Sequence, residues 1–180
     1  MNVPARAGND ILLVTFRANH EENFALFHEA VSEVIEAGAI EAVPKAPPEI
    51  EGLVNHRGKI LTVIDFDALV EGEPLASAMA DAERGGKEDA RRTIIIFSGE
   101  FSHLGILIRS EVGVVRVRNG NRGLLPTAHK LYNILEPPIV EATTLYNMIS
   151  PEKIILTLND CIAASKFIIL ESRTGGSHAS

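Results

Sequence analysis

One stretch constrains this chain more than any other: Pro47-Pro48-Glu49-Ile50-Glu51-Gly52-Leu53-Val54-Asn55-His56-Arg57-Gly58-Lys59-Ile60-Leu61-Thr62-Val63-Ile64-Asp65-Phe66. The two prolines stop whatever precedes them, and Gly52 and Gly58 bracket a short polar turn that carries Arg57 into an apolar run. From Ile60 to Ile64 every residue is apolar or β-branched, the composition of a strand covered on both faces, and Asp65 ends it. An arginine at a glycine turn, at the mouth of a buried strand, is ill placed for burial and well placed to meet a carboxylate or carbonyl on another surface. It reads as a docking group.

Around this stretch the chain reads mainly as strand and turn. Ile11 to Phe16 has strand composition, and Arg17 to Asn23 is polar enough for a turn. Phe27, Val31, Val34 and Ile35 fall at helical spacing, so periodicity alone leans to a helix over residues 24–37. Asp67 to Val70 is read as a single helical turn. Residues 71–92, rich in charge with Gly72, Pro74, Gly85 and Gly86, are read as a linker or crossover. Thr93 to Ser98 and Phe101 to Ile108 flank Gly99-Glu100 as a hairpin. Val112 to Arg118 is a strand with Val115 and Val117 on one face and Val114, Arg116 and Arg118 on the other. Residues 119–123 are read as a turn, and Leu124 to Ser150, with Pro126, Pro137 and Pro138, as loop with one short element. Ile154 to Leu158 and Lys166 to Leu170 are read as strands, and residues 173–180 as a flexible tail. Each half then carries a similar order of strands around a proline-rich connection, a faint twofold repeat in which Ile60–Asp65 answers to Ile154–Asn159.

Composition removes several function classes. Of the 180 residues, 46% are hydrophobic, enough for a substantial core, and a net charge of −7 argues against a non-specific nucleic-acid binder. A single cysteine, Cys161, allows no internal disulfide and implies a reducing, cytoplasmic setting. Residues 1–10 lack a secretory pattern, and no apolar run approaches the roughly 20 residues of a membrane span.

Chemistry is sought and not found. The histidines show no His-Glu-x-x-His, and His20-Glu21 with His28-Glu29 reads as two solvated polar positions rather than a metal pair. No nucleophile elbow or phosphate loop occurs. Asp65 and Asp67 form the one candidate carboxylate pair, the basis of a small β-barrel hydrolase as an alternative, but no nucleophile or metal accompanies them. Asp65 reads instead as a strand-end acceptor of backbone N–H groups. No catalytic residue, metal or cofactor is assigned.

Taken whole, the Pro-Pro-Glu-Ile-Glu-Gly-Leu-Val-Asn-His-Arg-Gly-Lys-Ile-Leu-Thr-Val-Ile-Asp-Phe stretch resembles the signature of CheW-like domains, the family of the chemotaxis coupling protein and of the regulatory domain of the chemotaxis histidine kinase. Val31-Ser32-Glu33-Val34, Phe101 to Val115 with Gly105-Ile106-Leu107-Ile108, and Ile154 to Ile162 are similar to further family segments, the last to its final strand. The resemblance implies one domain over residues 10–170, made of two packed five-stranded SH3-like β-barrels of roughly 20–90 and 91–160, completed by terminal strands. It replaces the helix at residues 24–37 with strand and turn.

Functionally it implies a cytoplasmic, non-enzymatic adaptor between the kinase regulatory domain and the chemoreceptor cytoplasmic tip. The partner-binding residues it implies are Val31, Glu33, Arg57, Gly58, Gly105 and Val114, the glycines allowing close backbone approach. The chain departs from the family at His56, where Leu is usual, and at Thr62, Phe66-Asp67, Arg109, Glu111 and Asn159. Arg109 replaces an Asp, a reversal expected to alter the partner's electrostatic complement rather than the barrel. With Glu111 it motivates the alternative of a module repurposed for another two-component or motility pathway.

Overall fold

The computed structural model describes residues 10–18, 22–71, 92–118, 120–125, 131, 133–160 and 162. Most of the expected linker, the Lys166–Leu170 strand, the tail, His20-Glu21 and Cys161 lie outside them.

Eleven strands among the described residues make two sheets. Those of the first half are β1 (Ile11–Ala18), β2 (Glu22–Phe27), β3 (Val31–Glu36), β4 (Ile50–His56) and β5 (Lys59–Asp65). A short helix, α1 (Phe66–Glu71), follows. The second half supplies β6 (Thr93–Phe97), β7 (Leu104–Ile108), β8 (Gly113–Val117), β9 (Asn121–Arg122), β10 (Leu135–Glu141) and β11 (Thr144–Ile149), and then a helix over residues 151–160, α2. One sheet runs β3-β6-β7-β5-β4, the other β8-β1-β2-β11-β10-β9. The fold is mainly β, two packed SH3-like sheets, with six strands in the second rather than five and neither ladder closing on itself.

The segment read as helical by periodicity is β2, a single 3-10 turn over His28–Ala30 and β3, as the family resemblance implied. β-branched residues and alternating burial along β3 outweigh the helical spacing. The polar turn placed between Gly52 and Gly58 is in fact strand β4. The turn is only Arg57-Gly58, with φ of 52° and 80°. Positive φ at both central residues marks the type I′ geometry that suits a two-residue hairpin. The Asn55 Oδ1 accepts the Gly58 N–H at 3.0 Å.

The loop expected from Leu124 to Ser150 holds the β10–β11 hairpin. Pro137 and Pro138 sit where the register breaks between Glu136 and Ile139, a bulge that needs no ladder N–H. The strand expected at Ile154–Leu158 belongs to α2. Ser150 caps it by accepting the Lys153 N–H at 3.3 Å, and Pro151 follows at the first helical position. Ile154 and Leu158, one turn apart, are both buried, whereas Leu156 is exposed.

Three apolar clusters fill the molecule. The largest lies between the sheets and joins Phe16, Phe24, Ile64, Phe66, Ile95, Phe97 and Ile106 to residues of both helices. Within it Phe66 meets Phe16 and Phe24 edge-on at centroid distances of 4.9 and 5.0 Å. The other two lie inside the curl of each sheet: Val54, Leu61, Val63, Ile94, Ile96 and Leu107 in one, and Leu13, Ala25, Val117, Ile139 and Met148 in the other. Strands such as β7 are therefore buried on both faces.

The twofold repeat is real at the level of register, but its strands are exchanged. Glu33, Ile96, Gly105 and Val63 lie abreast on β3, β6, β7 and β5. Gly113, Thr15, Ala25 and Met148 lie abreast on β8, β1, β2 and β11. Both rows contain one parallel pairing, β5 with β7 and β11 with β2. Each sheet thus takes a hairpin from one half and its remaining strands from the other, so the division does not fall at residues 90/91. The 3-10 turn His28–Ala30 joins β2 in one sheet to β3 in the other. The strand answering to Ile60–Asp65 is β11, and the helices α1 and α2 follow the two equivalent strands.

Candidate functional site

The β4–β5 hairpin ends at an open rim of the five-stranded sheet. Glu33 on β3 and His56 on β4 share the inner face with Ile96 and Val54, so both reach across the rim from opposite edges of the sheet. One Glu33 oxygen accepts from Arg57 Nη2 at 2.9 Å, and the other is 3.0 Å from His56 Nε2. Backbone pairing between Glu41 and Leu53 joins the same two edges further along. Gly52 permits this pairing, because a Cβ there would collide with the Glu41 carbonyl.

The three rim residues differ in exposure. The side chains of His56 and Glu33 are 23% and 32% accessible, whereas that of Arg57 is 75%. Glu33 therefore holds one edge of the guanidinium and leaves its remaining donors in water, an arrangement that can take a second carboxylate or carbonyl bidentately. On β5, Ile60 pairs with Asn55 and so faces away from Leu61 and the inner face, where it is 59% exposed.

The structure thus brings together Glu33, Arg57 and Gly58, with Val31 half-buried at the start of the same β3 and packed on the central core. Gly58 is exposed and serves the turn. Val114 stands 66% exposed on β8, in the other sheet. Gly105 is not a surface residue. It is buried in mid-strand, where a Cβ would meet Ile94 Cγ2 at 2.7 Å, so its lack of a side chain serves core packing rather than a partner's approach. His56 as the inner clasp, and Ile60 as an exposed apolar residue, were missed. The single His-for-Leu departure was the only sequence signal for the former, and the β-branched run concealed the latter.

Arg109 also contradicts expectation. It turns inward from the end of β7 and clasps Asp65 with both terminal nitrogens, at 2.7 and 2.8 Å, and Asp67 at 3.1 Å. Hydrogen bonding to Asp65 raises the proton affinity of the guanidinium more than burial lowers it, so the charge is locked on. Asp65 also accepts the N–H groups of Asp67 and Ala68, at 3.0 and 3.3 Å, and so caps α1 as its sequence position implied. The charge reversal is absorbed inside the chain, so of the two motives for a repurposed module only the exposed Glu111 remains. The same contacts engage both carboxylates of the hydrolase alternative. Among the described residues no group of three or more His, Cys, Asp or Glu is placed to hold a metal, and no helix is long and apolar enough to cross a membrane.

Comparison with known proteins agrees with this fold. The solved structure of scaffolding protein TtCheW from Thermoanaerobacter tengcongensis superposes with a TM-score of 0.63 at 22% identity, covering 83% of this chain and 90% of that one. Among curated proteins none matches. The family model described as CheW-like domain matches residues 12–131, well over half of the sequence, and the chain belongs to that family.

Proposed function

We propose that this chain is a cytoplasmic adaptor that couples the cytoplasmic tip of a chemoreceptor to the regulatory domain of a chemotaxis-type histidine kinase. As a CheW-like domain it is a scaffold rather than an enzyme. The observation that carries the reading is Arg57: a three-quarters exposed side chain held in left-handed backbone, at a position where turn chemistry favours Asn or Gly. A strained conformation kept for a bulky cation fits selection for contact rather than for folding. The receptor helix would lay an acidic or carbonyl-bearing face on Arg57, with Val31 taking an apolar neighbour.

The test is a pull-down of a kinase regulatory domain and a receptor-tip fragment with wild type and Arg57→Glu. Receptor capture is expected to fall at least about tenfold in the variant, with the fold retained by circular dichroism, because a docking contact is lost and a like charge introduced. Wild-type capture of neither partner would overturn the coupling role. Undiminished capture by the variant would remove Arg57 from the interface.

A further inference from the structure

The register equivalence of the two sheets places Gly113 where the other barrel has Glu33. In that barrel the carboxylate fills the rim and is clasped by Arg57 and His56. At the equivalent position Gly113 has no side chain, and an open cavity of about 740 Å³ lies there instead. Its lining includes Thr15, Arg17, Asn23, Ser110, Gly113 and Tyr146. Arg17 is the one cation in the lining, among hydroxyl and amide groups and the apolar Phe16, Val112 and Val115. The Arg17 Nε donates to Asn23 Oδ1 at 3.3 Å, which orients the guanidinium, and the Ser110 Oγ accepts the Arg17 N–H at 3.1 Å, leaving its own O–H to donate. Glu111 is the single carboxylate in the lining and is solvent-exposed. Beside the cavity β8 pairs only with β1 among the described residues, so its outer edge can accept an extended segment.

We propose that this rim is a binding site for a glutamate side chain on an extended segment of a partner protein, which supplies in trans the carboxylate that Glu33 supplies internally to the other barrel. Arg17 is the recognising cation, Ser110 and Tyr146 offer hydroxyls while the Thr15 hydroxyl donates to the Gly113 carbonyl at 3.5 Å, and β8 pairs with the partner's backbone. The site is separate from Arg57, so either can fail without the other.

The probe is a blocked pentapeptide, Thr-Val-Glu-Val-Thr, titrated into the full chain and followed by amide NMR, beside its Gln counterpart and free glutarate. The Glu peptide is expected to shift the resonances of Thr15, Arg17, Ser110 and Gly113, and to bind roughly tenfold or more tightly than the Gln peptide, as a charge-assisted pair requires. Arg17→Ala should abolish binding. Gly113→Glu should do the same by filling the rim from within. That variant is sterically allowed, since a Cβ at Gly113 meets only Thr15 Oγ1, at 3.4 Å. Dispersed spectra from both variants establish that they fold. Equal binding of the Glu and Gln peptides, no saturable shift up to about 5 mM, binding untouched by either variant, or glutarate binding as tightly as the peptide would each overturn the proposal.

Discussion

Arg57 and Arg109 carry the same charge to opposite ends. Arg57 faces outward in strained backbone, whereas Arg109 is spent on Asp65 and Asp67. Replacing Arg57 by Asn should therefore stabilise the fold slightly, by up to about 1 kcal/mol in urea denaturation, while weakening receptor capture. Replacing Arg109 by Ala should cost about 3 kcal/mol, because buried Asp65 loses its counter-charge, and equilibrium denaturation measures it. Gly105→Ala should cost about 1–3 kcal/mol by crowding Ile94, and Ile94→Leu, which removes the offending methyl, should make the double variant better than additive. At this scale the sequence was legible where backbone chemistry rules. The Asp65 cap and the positive φ of Gly58 follow from residue type, whereas the left-handed Arg57 does not. The inward turn of Arg109 was not legible, because its partners lie more than forty residues away, and a family position alone does not say which way a side chain faces.

Among the elements, β1, β5 and the β6–β7 hairpin were legible because their apolar runs are continuous and bounded by turn residues. β10 was hidden by Pro137-Pro138, which read as breakers until the bulge that houses them is seen. α2 was hidden by Ile154-Ile155-Leu156, β-branched enough to mimic a strand. Its start signal, Ser150 followed by Pro151, was present throughout. Ser150→Ala should therefore lower stability by about 1 kcal/mol, as loss of an N-cap does, with no effect on either rim. Thermal unfolding followed by circular dichroism checks this.

For the molecule as a whole, the repeat was visible only as a faint echo. The exchange of hairpins was invisible, since it depends on which strands pair rather than on what the strands are. It carries its own prediction. Residues 1–91 and 92–180 expressed separately should each give poorly dispersed NMR spectra, and mixing them should restore the dispersed spectrum, because each barrel needs strands from both. A dispersed spectrum from either half alone would contradict the pairing.

That exchange also limits how such a chain can change over generations. β3, β4 and β5 have no barrel without β6 and β7, and β1 and β2 have none without β8, β10 and β11. Neither sheet's set of strands can be dropped, shuffled or replaced by recombination on its own, so the pair is inherited as one indivisible module. Within it the outer rims remain free to diverge, one keeping Glu33 and the other Gly113.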